Sequence, residues 1–84
     1  MCNVKELADV RYRLMFEKRY KGGWVSIAFC HDEVKPWRVG FASTGHYFDS
    51  AEAAAAYCAG RGFIKYSEVS SVTDTVERLS RLGE

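Results

Sequence analysis

The stretch GHYFDSAEAAAAYCAGRGF, residues 45–63, decides the fold because it contains a complete helix signal. Asp49 or Ser50 is suited to the N-cap position, where a side-chain oxygen accepts a hydrogen bond from a free backbone amide. Glu52 falls in the first turn, where a carboxylate is stabilised by the helix dipole. The alanine run that follows predicts a helix continuing to about Ala59.

Glycines after the alanine run predict where this helix ends and how closely it can pack. Gly60 or Gly62 can supply the left-handed residue that commonly terminates a helix. Alanine side chains are short enough for a helix axis to lie close to a sheet. The face expected to pack on the sheet, at helical spacing, comprises Ala53, Ala56, Tyr57 and Gly60.

Three segments before this helix alternate with the two-residue period of half-buried strands, namely residues 10–20, 24–31 and 37–43. Gly22 and Gly23 predict a hairpin turn between the first two, because tight hairpins require positive φ angles. The expected core face consists of Tyr12, Leu14, Phe16, Val25, Ile27, Phe29, Val39 and Phe41.

Two segments follow the helix. FIKYSEV, residues 63–69, also alternates and predicts a fourth strand or an extended connection. SSVTDTVERLSRLGE, residues 70–84, predicts a short helix with Ser71 as its cap. Its narrow apolar stripe, which packs on the sheet or contacts a partner, consists of Val72, Val76, Leu79 and Leu82.

The element order predicts one α+β domain over residues 1–84, with residues 1–9 as a helical turn or a flexible arm. We expect an antiparallel sheet of three to four strands. One alanine-rich helix packs on one face of this sheet, and a short C-terminal helix follows. A chain of 84 residues with 48% hydrophobic content supports one small core.

Composition limits the classes of function. Twelve basic and eleven acidic residues give a net charge of +1, so the whole chain is not a polycation that coats nucleic acid. Three cysteines without framework spacing favour reduced thiols. With neither a signal peptide pattern nor an apolar run of about 18 residues, the sequence predicts a soluble cytoplasmic protein without membrane contact.

Catalytic and metal chemistry have little support in the sequence. The cysteines and histidines lack the paired spacing of zinc ligands, and no glycine-rich phosphate loop is present. A cysteine nucleophile paired with His46 or His31 is the catalytic alternative, and it requires a cleft that a small domain rarely forms. We therefore expect no enzyme activity, no cofactor and no metal, with Cys30 and Cys58 as small apolar residues of the core.

Binding is the function class that the remaining residues support. The sheet face opposite the helix is expected to present Arg11, Arg13, Trp24, Ser26, Ala28, Arg38 and Gly40. Such a face suits an acidic protein surface or a nucleic-acid groove, and the alternative is a solvated face with paired arginines. A different contact surface is the acidic loop with Asp32 and Glu33, which would imitate phosphate. The predicted binding residues are Arg11, Arg13, Lys18, Arg19, Trp24 and Arg38.

The segment YFDSAEAAAAY, residues 47–57, after a three-stranded sheet resembles the plant AP2 domain and the related N-terminal domains of phage integrases. In that family, sheet arginines and tryptophans enter the DNA major groove. The resemblance implies a DNA-binding module. Its contact residues at the matching positions would be Arg11, Arg13, Trp24 and Arg38.

The same segment is also similar to small phage anti-CRISPR inhibitors, through Phe48, Asp49, Ser50, Glu52 and Tyr57. One such inhibitor is a meandering sheet followed by two helices. This resemblance implies a non-catalytic phage or mobile-element protein that blocks a host defence nucleoprotein complex in the host cytoplasm by direct protein binding. Neither resemblance indicates the oligomeric state of the present protein.

Overall fold

The structure, a computed structural model, describes residues 12–42 and 44–82. Four strands form one antiparallel sheet in the order β1-β2-β3-β4. The elements are β1 (Arg13–Tyr20), β2 (Gly23–Phe29), β3 (Trp37–Phe41), β4 (Thr44–Phe48), α1 (Ala51–Gly60), a 3-10 helix (Tyr66–Glu68) and α2 (Val69–Leu82). The predicted α+β class is confirmed, whereas the expected arrangement of residues 1–9 lies outside the described residues.

The hairpin between β1 and β2 turns at Lys21 and Gly22, whose φ angles are 47° and 80°. Two consecutive positive φ values match the type I′ turn, which follows the right-handed twist of the flanking strands. Gly23 belongs to β2 and pairs with Tyr20. The predicted turn is therefore correct in place, but its two positive φ angles belong to Lys21 and Gly22 rather than to Gly22 and Gly23.

A β-bulge in β1 changes which side chains face the helices. Leu14 pairs with Ala28 and Phe16 pairs with Ile27, so one additional residue, Met15, lies between these two pairs. A bulge shifts the alternation of side chains by one residue before it. Leu14 is therefore 55% exposed, and its predicted place in the core is wrong.

The fourth strand lies before α1, not after it. β4 pairs with β3 from Phe41 opposite Thr44 to Trp37 opposite Phe48, across a turn in which Ala42 has a φ of 56°. The segment predicted as a fourth strand or an extended connection, residues 63–69, instead contains the 3-10 helix and the first residue of α2.

Helix α1 begins as the sequence predicts. The Ser50 side chain accepts a hydrogen bond from the Ala53 amide at 3.1 Å, which identifies Ser50 rather than Asp49 as the N-cap. Gly62, with a φ of 84°, supplies the left-handed residue just after the helix.

The predicted packing face of α1 is wrong. Ala53, Ala56 and Gly60 are exposed, and only Tyr57 of the expected set is half-buried. The alanine run does not indicate which face of the helix packs on the sheet, because alanines occur on several sides of the helix. The residues that enter the core are Ala51, Ala54, Ala55, Cys58 and Ala59.

Helix α2 is longer than expected, since it spans 14 residues and starts before the predicted cap, Ser71. Val72 and Val76 are buried, as the apolar stripe predicts. Leu79 and Leu82 are 37% and 76% exposed, so the second half of the stripe does not pack on the sheet.

Both helices lie on one side of the sheet, where α1 contacts β3 and β4 and α2 contacts β1. The most buried strand residues are Val25, Ile27 and Val39, each at most 1% exposed. They form one cluster with the buried alanines of α1 and the valines of α2. The opposite side of the sheet is not covered by any described helix.

Candidate binding face

The uncovered side of the sheet, called here the open face, follows directly from the strand register. Residues paired across antiparallel strands lie on the same side of a sheet. The first row is Leu14, Ala28, Arg38 and Tyr47, the second is Glu17, Ser26, Gly40 and Gly45, and the third is Arg19 and Trp24.

Arg38 occupies the centre of the open face and lies flat on two facing glycines. A Cβ atom placed on Gly40 would come within 2.5 Å of Nη1, and one placed on Gly45 would come within 2.5 Å of Nη2. The guanidinium therefore occupies the space that side chains on these paired strand residues would fill. Its Nε atom is buried, and its Cζ atom lies 6.0 Å from the centre of the Tyr47 ring.

Tyr47, which contacts Arg38 on the first row, also packs against Tyr12, the residue before β1. The rings of Tyr12 and Tyr47 are 5.6 Å apart at an angle of 59°. The Tyr12 hydroxyl donates a hydrogen bond to the Lys35 carbonyl oxygen at 3.0 Å. These contacts connect the start of β1, the loop before β3, and β4, so one end of the open face is held by three separate segments.

Trp24 and Arg19 lie at the other end of the face, next to the β1–β2 turn. The Arg19 guanidinium carbon is 5.5 Å from the centre of the Trp24 ring, within the range of a cation–π interaction. Trp24 is nevertheless 51% exposed. A large aromatic side chain that is held by a neighbour and still open to solvent is typical of residues that anchor an interface.

The structure brings together three of the six predicted binding residues, namely Arg19, Trp24 and Arg38. Arg13 pairs with Phe29 and therefore lies on the helix-bearing side, which corrects its predicted place on the open face. The cause is the bulge in β1, which gives the open-face position to Leu14. Lys18 pairs with Val25 and also lies on the helix-bearing side, and Arg11 lies outside the described residues.

Sequence reasoning missed four residues of the open face: Tyr12, Leu14, Glu17 and Tyr47. Tyr12 and Leu14 are expected in the core because no sequence pattern indicates the bulge. Glu17 lies beyond the bulge, on the side that alternation predicts, but is absent from the predicted face. Tyr47 lies in β4, whose five residues alternate too briefly to stand out next to a strong helix signal.

The acidic loop offers less than the sequence suggests as a contact surface. Asp32 is exposed, and its Oδ1 atom lies 3.1 Å from Nδ1 of His31. Glu33 is half-buried. The two carboxylates therefore differ in exposure and do not form a uniform acidic edge.

Cys58 has the environment of a core residue rather than that of a nucleophile. It is 1% exposed, and burial raises the pKa of its thiol to about 11. Reactive cysteines require the opposite, a lowered pKa and access to solvent. Cys30 is half-buried, so only one of the two expected core cysteines is fully enclosed.

Within residues 12–42 and 44–82, no group of three or more histidine, cysteine or acidic side chains could hold a metal ion. In the same part of the chain, no helix is both long and apolar enough to cross a membrane. The open face, with Arg38 over two glycines and Trp24 half-exposed, is the candidate docking surface of the described chain.

No protein-family model matches this chain, and neither a curated protein nor a solved structure does so.

Proposed function

We propose that the protein is a non-catalytic binding module that docks a partner protein through its open face. The observation that carries this proposal is the combination of a central, seated arginine with exposed apolar side chains on both sides of it. Leu14, Trp24 and Tyr47 are 55%, 51% and 38% exposed. Tryptophan, tyrosine and arginine are the residues most enriched among interface hot spots.

The position of Arg38 favours a protein partner. Because the guanidinium lies on glycines, it presents a flat surface on which an aromatic ring or a peptide group of a partner can stack. An arginine already held in one conformation also loses little side-chain entropy on binding. These properties suit a compact protein interface.

The charges of the open face also favour a protein partner. Its described residues include two arginines, Arg19 and Arg38, and one carboxylate, Glu17. Surfaces that follow a phosphate backbone are more uniformly basic, because each neutralised phosphate contributes to affinity. A mixed pattern instead provides register and specificity against a complementary protein surface.

The partner that we propose is a host defence nucleoprotein complex, blocked in the host cytoplasm by a phage or mobile-element inhibitor. Support for this specific partner is the resemblance to anti-CRISPR inhibitors in the sequence around Phe48 to Tyr57. A single small α+β unit with an exposed anchor residue is compatible with a stoichiometric inhibitor of this kind.

The second candidate function is a DNA-binding module. The observation that favours it is that Trp24 and Arg38, two of the contacts that the AP2 resemblance implies, lie on the same face of an antiparallel sheet. Such a sheet can enter the major groove and read base edges with its side chains.

One experiment separates these proposals. The immobilised protein is presented with a purified CRISPR surveillance complex and, separately, with random duplex DNA between about 50 and 200 mM salt. For the protein-directed inhibitor, Trp24→Ala should weaken binding of the complex by more than about tenfold, the effect of a hot-spot residue. The matched control is Tyr66→Ala, which removes an aromatic that is 75% exposed in the 3-10 helix, and it should leave binding unchanged.

Each outcome has a defined meaning. DNA binding that falls by orders of magnitude over this salt range would favour the DNA-binding module. Equal losses of complex binding in both variants would refute the open face as the docking surface. No binding of the complex by the unmodified protein would refute this partner.

A further inference from the structure

A groove of about 310 Å³ lies on the helix-bearing side of the sheet, opposite the open face. It is located where the β3–β4 hairpin meets the C-terminal end of α1. Its volume is at the lower end of the range for small-molecule sites. The lining residues are Val39, Phe41, Thr44, His46, Tyr57, Arg61 and Phe63.

Two pairs of rings line this groove on successive rows of the sheet. Phe41 and Phe63 have ring centres 5.0 Å apart, and His46 and Tyr57 are also 5.0 Å apart. Four aromatic side chains thus surround a space of about 310 Å³, which is large enough for a small ring system.

The polar groups of the groove favour a negative charge on the occupant. None of the seven lining residues is acidic, and Arg61 contributes an exposed guanidinium directly after α1. The Thr44 hydroxyl already donates a hydrogen bond to the Phe41 carbonyl at 2.9 Å. Arg61 is therefore the charged donor that an anion entering the groove would meet.

Most of the terminal carbonyls of α1 are hydrogen-bonded. The carbonyls of Tyr57, Cys58 and Ala59 accept hydrogen bonds from backbone amides of residues 61–63 at 2.9 to 3.0 Å. These amide donors offset part of the negative charge at this end of the helix, and Arg61 supplies the positive charge that attracts an anion.

We propose that this groove binds a small planar aromatic anion, with the ring against the aromatic side chains of the groove and the anionic group on Arg61. Val39, which is 1% exposed, forms the apolar floor beneath the ring. This site lies on the other side of the sheet from the open face, so it is independent of the proposed docking function.

The test is an NMR titration of the isotopically labelled full chain with indole-3-carboxylate and with its neutral analogue, indole-3-carboxamide. We expect amide shifts centred on the groove residues, with a Kd in the low millimolar range that a ligand of this size can reach. The carboxamide should bind about three- to tenfold more weakly, since it lacks the charge that pairs with Arg61.

Matched variants locate the charge effect. Arg61→Gln should reduce the affinity for the carboxylate to that for the carboxamide. Arg78→Gln, a change of the same kind at an exposed residue of α2 outside the groove, should leave the affinity unchanged. The dispersed amide spectrum of each variant shows whether it is folded.

Three results would overturn the proposal. The first is no shift at the groove residues up to about 10 mM carboxylate, a concentration well above the expected Kd. The second is equal affinity for the two probes, which would remove the role of charge. The third is a set of shifts centred on Trp24 and Tyr47, which would place the binding on the open face.

Discussion

Replacing Gly45 with alanine should displace Arg38 from its position on the open face. The new Cβ would lie 2.5 Å from Nη2 and 2.8 Å from both Cζ and Nε of Arg38, distances that non-bonded atoms cannot keep. The φ of Gly45 is not positive, so alanine fits the backbone and the side chain of Arg38 must move. The change therefore tests whether the Arg38 guanidinium lies over Gly45, and it leaves the strand intact.

The expected effect on stability is small because two contributions oppose each other. Loss of the interaction between Arg38 and the Tyr47 ring should cost about 0.5 to 1 kcal/mol at this partly exposed site. Replacing glycine by alanine at a compatible backbone position should increase the free energy of unfolding by about 0.4 to 1 kcal/mol, because alanine lowers the conformational entropy of the unfolded chain. The free energy of unfolding should therefore stay within about 1 kcal/mol of its original value.

Two measurements check this prediction. Urea denaturation gives the free energy of unfolding, and NMR follows the Nε–H group of Arg38, which is buried in the original protein. In Gly45→Ala, this proton should exchange with water faster and its resonance should move. The matched control is Gly23→Ala, which lies in β2, where the new Cβ would meet Phe41 and not Arg38.

Either of two results would refute the reasoning. An unchanged Nε–H resonance in Gly45→Ala would mean that the guanidinium does not lie on Gly45. A loss of more than about 2 kcal/mol would mean that Arg38 cannot leave its position over Gly45 without disrupting the surrounding sheet.

Three further predictions concern single residues. Ser50→Ala removes the hydrogen-bond acceptor of the Ala53 amide and should lower the free energy of unfolding by about 1 kcal/mol, whereas Ser67→Ala, at an exposed position, should change it little. Lys21→Asn should raise it by about 0.5 kcal/mol in urea denaturation, since asparagine tolerates the φ of 47° and favours type I′ turns, and a decrease would contradict the assigned turn. The raised pKa of Cys58 favours its neutral thiol in the folded state, so stability should be unaffected below about pH 9 and should fall as pH rises towards 11. Cys58→Ser, a variant without this thiol, should lose that fall between pH 9 and 11, and an unchanged pH profile would contradict the assignment.

The parts of the fold that the sequence predicts well are those in which side-chain type and position agree. Val25, Ile27 and Phe29 alternate with polar or small residues in β2, and all three are buried. Ser50 precedes a run of strong helix formers and is the N-cap. In both cases the local signal and the tertiary packing require the same arrangement.

The parts that the sequence did not predict have a common physical cause, which is that packing decided between local alternatives of similar energy. Because alanines lie on several sides of α1, more than one face of this helix could pack on the sheet. In the structure, Ala54 and Ala55 are buried, whereas Ala53 and Ala56 are exposed. The short strand Thr44–Phe48 is stabilised by its pairing with β3, and its own residues carry little strand signal.

The bulge in β1 has the largest consequence for function, because it changes the chemistry of the open face. Without it, the register that pairs Phe16 with Ile27 would continue with Met15 opposite Ala28, Leu14 opposite Phe29 and Arg13 opposite Cys30, which would place Arg13 on the open side and Leu14 in the core. With it, Leu14 pairs with Ala28 and Arg13 pairs with Phe29, and Met15 packs against the core. The open face thereby loses the positive charge of Arg13 and keeps an apolar side chain, Leu14, opposite Ala28. A face with fewer charges suits a protein partner better than a phosphate backbone.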